Sequence, residues 1–244
     1  MDKDIRFLKR VVRQASKLIR PDFSVSHKDA KSDIITDVEV EVENFIIAAI
    51  RAEYPDFDII SEENFSHGTL TDNCFVIDPV DGTRNFAFNL PLWGIQVACV
   101  RGGKTVASVI YLPRLREMYS ACASGAYLNG RKIAVGSGVI GKNMYCLDAK
   151  REFKFISCMQ KNSLTPRSFG CIAVSMAWVA SGRVSSVVFD ESNSSIWDVL
   201  PGLYLVERAG GIVFNDGHKF IAGNSADVVA LLLKAYEDAK SICQ

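Results

Sequence analysis

Apolar residues recur at three- and four-residue intervals near the start of the chain. Ile5, Leu8, Val11, Val12, Ala15, Leu18 and Ile19 fall on one stripe. That spacing predicts an amphipathic helix over residues 3–19, stopped by Pro21, whose ring cannot continue it. Residues 22–36 are polar and mixed, with no clear period. Val38, Val42, Phe45, Ile46, Ala49 and Ile50 mark a second helix that ends before Pro55. Then the period shortens. Asp58-Ile59-Ile60-Ser61 predicts a short strand, and Cys74 to Asp78 is an apolar run that closes on an acid. Ile95 to Val100 and Thr105 to Leu112, joined through Gly102-Gly103, predict a hairpin. Glu117 to Ala121 and Ala126 to Leu128 continue the sheet, with a turn at Asn129-Gly130.

The later residues alternate between the two periods. A strand is expected within Val139 to Leu147, a helix over Cys171 to Ala180 and a strand over Arg183 to Phe189. A helix follows over Ile196 to Arg208, closed by Gly210-Gly211, then a strand at Ile212 to Phe214 and a helix over Asp227 to Ile242. The expectation is one α/β domain over residues 1–244, with an α+β part in about 1–130 and an α/β part in 131–244 sharing one rigid interface.

Composition narrows the partners. Lys+Arg and Asp+Glu both total 28, so no overall field draws nucleic acid or an anionic membrane, and neither is expected as a partner. No apolar run approaches the roughly 20 residues that cross a bilayer. Met1-Asp2-Lys3-Asp4 opens a charged amphipathic segment and not a secretory signal, so a cytoplasmic location is expected. Seven cysteines, an odd number without a CxxC pair, fit reduced thiols. Three histidines and no HExxH leave zinc unexpected.

Three acidic sites stand out by their surroundings. Ser61-Glu62-Glu63 follows the strand-like Ile59-Ile60, Asp78-Pro79-Val80-Asp81-Gly82-Thr83 follows Phe75-Val76-Ile77, and Trp197-Asp198 opens a helix. Taken singly, a DG is a turn, an EE pair is solvated surface, and Asp198 is an N-cap. Together, acids at strand ends and helix starts are held on rigid elements. They tolerate one another only around something positive, and an all-oxygen set selects Mg²⁺, Mn²⁺ or Ca²⁺. Pro79 stiffens a turn so that Asp78 and Asp81 point to a common centre, and Gly82 lets the backbone approach a ligand. Thr83 begins a helical turn whose amides, with that of Gly82, can hold a phosphate. Its hydroxyl can hold an attacking water.

These stretches resemble the inositol monophosphatase family, within the lithium-sensitive magnesium phosphatases that include fructose-1,6-bisphosphatase. Glu62-Glu63 after Pro55, Asp78 to Phe86 with Pro91 (the DPxDGTxNF signature), and Trp197-Asp198 followed by Glu207-Arg208-Ala209-Gly210-Gly211 carry the likeness, over roughly residues 5–235. The Gly125-Ala126…Asn129-Gly130 turn also fits. The resemblance implies a layered αβαβα sandwich, two or three Mg²⁺ ions and a homodimer. By position it places metal ligands at Glu62, Asp78, Asp81, Asp198 and the carbonyl of Val80. Asp78 bridges metals, and Glu62 and Thr83 orient the attacking water. Gly82 and Thr83 amides hold the phosphate, Asp81 and Glu191 touch the leaving alcohol, and Lys28 belongs to a mobile loop.

Two positions depart from the family pattern. Glu39 stands where an aspartate usually pairs with the threonine, and Asp37 takes that role if the register slips. Cys171-Ile172 replaces residues that are often small beside the substrate, and Ile172 is expected to narrow the pocket. The implied reaction is Mg²⁺-dependent hydrolysis of a small phosphate monoester, inositol monophosphate first. Fructose 1,6-bisphosphate, histidinol phosphate and 3′-phosphoadenosine 5′-phosphate are the alternatives, with a non-catalytic RNA- or transcription-associated role on the same scaffold as the rival. The GxGxxG at Gly136 to Gly141 lacks a following helix pattern, and no GxSxG appears.

Overall fold

The computed structural model describes residues 3–27, 34–64, 69–137, 144–147, 165–190, 195–216 and 219–241. Helix α1 (Lys3–Ala15) buries Ile5, Leu8, Val11, Val12 and Ala15 of the predicted stripe, together with Phe7, and gives way to a 3₁₀ turn at Ser16–Leu18 before the expected end at residue 19. The stretch without a period contains an antiparallel pair, β1 (Val25–His27) against β2 (Ile34–Thr36). Helix α2 (Asp37–Glu53) starts on a capping box. The Thr36 hydroxyl accepts from the Glu39 N–H, and the Glu39 carboxylate accepts from the Thr36 N–H.

Seven strands form the larger sheet in chain order. They are β3 (Asp58–Ser61), β4 (Asn73–Asp81), β5 (Gly94–Arg101), β6 (Lys104–Leu112), β7 (Glu117–Cys122), β8 (Gly125–Leu128) and β9 (Arg131–Ile133). β3 and β4 are parallel, and each later pair is antiparallel. Gly102-Gly103 and Asn129-Gly130 make two-residue hairpin turns with both residues at positive φ, the geometry that follows the strand twist. Both faces of this sheet are covered, which explains the unbroken apolar run in β4. Phe75 and Ile77 pack with α1 and α2 residues, while Cys74 and Val76 lie in a separate cluster with Ile196, Trp197 and Leu200.

The smaller sheet has the order β11 (Thr165–Arg167), β10 (Met144–Leu147), β12 (Ser186–Asp190), β14 (Lys219–Gly223), β13 (Ile212–Asn215). Its first three strands are parallel and the rest antiparallel. Helices α4 (Ile172–Ala180) and α5 (Ile196–Arg208) lie between the sheets, and α6 (Ala226–Ser241) covers the outer face. With α3 (Thr83–Ala87) at the edge, the layers run helix, sheet, helix, sheet, helix, the αβαβα order that the resemblance implies. Gly210, at φ +88, ends α5: its N–H reaches the Glu207 carbonyl and that of Gly211 the Val206 carbonyl. Strand β14 was not visible in the pattern, because Lys219-Phe220-Ile221-Ala222-Gly223 neither alternates nor stands clear of its turn.

Candidate metal centre

The parallel pairing of β3 and β4 sets Ser61 beside Ile77, so the next residues, Glu62 just past β3 and Asp78 within β4, follow side by side where that pairing ends. The carboxyl ends of parallel strands are where open sheets place ligands. Alternation along β4 sends Cys74, Val76 and Asp78 to the face toward α5. An undisturbed strand would turn Asp81 to the other face. The pairing shifts instead: Asp78 faces Gln96 but Asp81 faces Gly94, so three steps on β4 match two on β5. This bulge re-aims Asp81 to the side of Asp78. Pro79, which has no N–H to give the ladder, lies within it. The turn expected at Pro79 is therefore a bulge in a strand that runs on to Asp81.

Asp198 arrives from the first turn of α5. Ser195 holds the N-cap position, and Asp198 stands three residues on, accepting the Ser195 N–H. The reading of Asp198 as an N-cap gives way to that geometry. Carboxylate oxygens of Asp78, Asp81 and Asp198 all lie within 4.8 Å of one another. Glu62 lies outside that trio on the turn after β3, yet its charge is the largest cause after burial that raises Asp78.

Crowding acids out of water has a clear electrostatic consequence. Burial first, then Glu62, Asp81 and Asp198, push Asp78 well above the ordinary carboxylate range. Burial and then Asp81 do the same to Asp198. An amide offsets part of this repulsion. Gln96 Nε2 lies 3.0 Å from the Asp198 carbonyl, 3.3 Å from Asp78 Oδ2 and 3.4 Å from Asp81 Oδ2. The Val80 N–H donates to Asp78 Oδ1 at 3.1 Å, and the Ala173 N–H donates to Asp81. Two amide hydrogens cannot satisfy three acceptors fully, and a divalent cation of oxygen preference fits this donor set.

Gly82 closes the strand at φ +87, where a side chain is strained, and a Cβ there would come within 3.1 Å of Cys171 Cβ and 3.2 Å of the Leu92 carbonyl. α3 then begins at Thr83, as expected. The Thr83 hydroxyl donates to Glu39 Oε1 at 2.6 Å and lies 3.3 Å from the Val80 carbonyl. Glu39 is wholly buried, and burial pushes it up to about 7 against the opposing pull of its Thr83 and Thr36 hydrogen bonds. Glu39 thus meets Thr83, while Asp37 pairs with Arg20 at 2.9 Å and accepts the Ser24 N–H at 2.9 Å. Cys171 Sγ caps α4 by accepting the Val174 N–H, and Ile172 packs into the core between the sheets.

Lys28 and Glu191 lie outside the described residues, as does most of the GxGxxG segment. Gln96 and the Ala173 amide escaped the sequence reading. Gln96 had a signal, a lone amide inside the apolar run Ile95 to Val100. The backbone contact from Ala173 had none.

A model of the inositol monophosphatase family matches residues 1–239. The fructose-1,6-bisphosphatase/inositol-1-monophosphatase of Thermotoga maritima is 34% identical over 197 residues, covering 78% of this chain and 74% of that protein. The Nus factor SuhB of Escherichia coli is 33% identical over 247 residues, covering 91% of this chain and 92% of that protein. Among solved structures, the Thermotoga maritima IMPase superposes with a TM-score of 0.83 at 29% identity, covering 97% of each chain. The extragenic suppressor protein suhB of Bartonella henselae gives 0.86 at 26% identity, covering 96% of this chain and 98% of that one.

Proposed function

This chain belongs to the inositol monophosphatase family, a phosphatase family, and from that premise we propose that it hydrolyses a small polyol phosphate with Mg²⁺ at the acidic cluster. The observation that carries the reading is the convergence of Asp78, Asp81 and Asp198 from a strand, its bulge and a distant helix onto one 4.8 Å cluster. Those three, with Glu62 and the Val80 carbonyl, would hold two or three Mg²⁺ ions. When bound, the metal polarises the phosphoryl group and makes water acidic enough to attack at neutral pH. The chain's own residues do the rest. Thr83 holds the attacking water through its hydroxyl. As the water oxygen bonds to phosphorus, its proton passes to Thr83 Oγ1, whose own proton moves to Glu39 Oε1. The value of about 7 at Glu39 suits a group that takes a proton near neutrality. The ester oxygen leaves with its electron pair and takes a proton from a solvent water, and Glu39 gives its proton back to solvent as the alcohol departs. Gly82 and Thr83 amides would hold the phosphate, and Asp81 and Glu191 would contact hydroxyls of the alcohol.

The test is phosphate release from inositol monophosphate, fructose 1,6-bisphosphate, histidinol phosphate and 3′-phosphoadenosine 5′-phosphate, each with and without Mg²⁺. Inositol monophosphate is expected to lead, and Asp81→Asn is expected to abolish release. Full activity in that variant refutes the assignment. A homodimer is the proposed assembly, supported by Phe88 and Leu90, which stand 77% and 50% exposed after α3. Size-exclusion chromatography with light scattering should show a dimer that Phe88→Glu weakens.

One observation favours a second, regulatory role. Arg6, Lys9, Arg10, Arg13 and Lys17, with Gln14, line a shallow groove of about 440 Å³ on the outer side of α1. Among the described residues, none of these five cations has an ion-pair partner within 4.0 Å. Repulsion between neighbours one turn apart is a cost that an ordinary solvated face avoids by mixing signs. Single-stranded RNA, titrated at several salt concentrations, tests this face. Binding that weakens with salt and is lost in Arg6→Glu/Arg10→Glu/Arg13→Glu supports the role, and equal binding by that variant removes it.

A further inference from the structure

Helix α2 carries a second wholly buried carboxylate four residues beyond Glu39, at Glu43. Glu43 Oε1 accepts from Ser61 Oγ at 2.9 Å, from the Asn64 N–H at 2.8 Å and from Asn64 Nδ2 at 2.7 Å. Its Oε2 accepts from the Glu63 N–H at 3.0 Å. All four donors belong to the turn on which Glu62 stands, and they come from the residues on either side of it. A carboxylate is among the costliest groups to seat out of water. Glu43 lies in line with Glu39, Ile46 and Ile50 on a helix face that is otherwise apolar, so packing alone would be better served there by a hydrocarbon side chain.

We propose that Glu43 is a positioning residue that clamps the Ser61–Asn64 turn and so aims the Glu62 carboxylate at the cation site beside Asp78. The inference rests on the metal-dependent reading above. It makes α2 the frame of the centre. Through Glu39 the helix holds Thr83, and through Glu43, one turn away on the same face, it holds the turn of Glu62. The start of α3 and the turn of Glu62 reach their common site in register because one rigid helix spaces them.

Glu43→Gln removes one acceptor at nearly constant volume. Whichever way its amide turns, an NH₂ faces an N–H or hydroxyl donor of the turn, so at least one clamp contact is lost. The dissociation constant for Mn²⁺, measured by electron paramagnetic resonance or calorimetry without substrate, is expected to rise about 10–100-fold, the usual loss for an outer partner of a metal ligand. In turnover assays the half-saturating Mg²⁺ concentration should rise more than kcat at saturating metal falls. Asn64→Asp is the second variant. It sets a like charge against Glu43 from an exposed position, so folding is spared, and a weaker shift in the same direction is expected. Mn²⁺ affinities within about twofold of wild type in both variants, with only the melting temperature lowered, would overturn the proposal. That result in an active enzyme leaves the phosphatase reading standing. A wild type that binds Mn²⁺ but releases no phosphate sinks the phosphatase reading, and the same affinity loss then still supports the clamp. A wild type that takes up no Mn²⁺ overturns both.

Discussion

Asp4 and Asp78 are both buried aspartates, 5% and 0% exposed, and the chain treats them in opposite ways. Asp4, on α1, receives Arg101 Nε at 2.8 Å, Arg101 Nη2 at 2.9 Å and the Tyr54 hydroxyl at 2.8 Å. The Arg101 hydrogen bond, opposed by burial, holds its carboxyl below the ordinary value of 3.8. Asp78 has an amide and a backbone N–H for company, with three more acids close by, and stands well above that value. The comparison separates two uses of a buried charge. One is completed within the chain and ties a helix to a strand. The other is left electrostatically incomplete, and that is the condition under which a cation from solution binds.

Asp78→Asn breaks the comparison hardest. Turnover should fall by about 10²–10³-fold, the range seen when one electrostatic partner of a transition state is removed. Steady-state phosphate release measures it, and Asp4→Asn should leave that rate within about twofold. Metal-linked stability comes next. Mg²⁺ at about 100 times its dissociation constant should stabilise the wild type by about 2.7 kcal/mol in thermal melts, with no such gain in Asp78→Asn.

Without metal the two positions should move in opposite directions. Asp78→Asn removes a repelled buried charge and is expected to raise stability by about 1–3 kcal/mol, read from denaturant midpoints. Asp4→Asn should lower it by about 1 kcal/mol, a figure discounted because the Arg101 side chain is 40% exposed to screening solvent. The smallest effect is in pH. Asp4 has a folded pKa below its unfolded one, so its stabilisation is fully present above 3.8 and is lost as pH falls through the lower folded value. The stability gap between wild type and Asp4→Asn should therefore be constant near neutrality and shrink in acid. A gap that grows below pH 3.8 would show that the pair is not the cause.

Much of this molecule could be read before its structure. The helical stripes of α1 and α2 and the span of α5 appear close to where their periods predict them, because each buries a face that is mainly apolar. The acids at 62, 78, 81 and 198 stood out because they interrupt or end apolar runs. Less legible were the residues that hold those acids. Gln96 looks like a single polar break in an apolar run, Glu43 is one of three glutamates that alternate with valines at Glu39, Glu41 and Glu43, and a pattern cannot say what a buried polar group will meet. The choice of Glu39 over Asp37 for Thr83 depended on which side of α2 faces the sheet.

Residue order alone determined which side chains carry charge, which faces of helix and strand must be buried, and that a chain of zero net charge concentrates acids at a few element ends. These are local properties, set by side-chain chemistry and by the periods of helix and strand. Tertiary structure alone decided that the acids meet. The parallel register of β3 on β4 brought Glu62 alongside Asp78, the bulge turned Asp81 to their side, and the packing of α5 between two sheets delivered Asp198 from more than a hundred residues away. Proximity between distant segments is fixed by packing the whole core, and no local period encodes it.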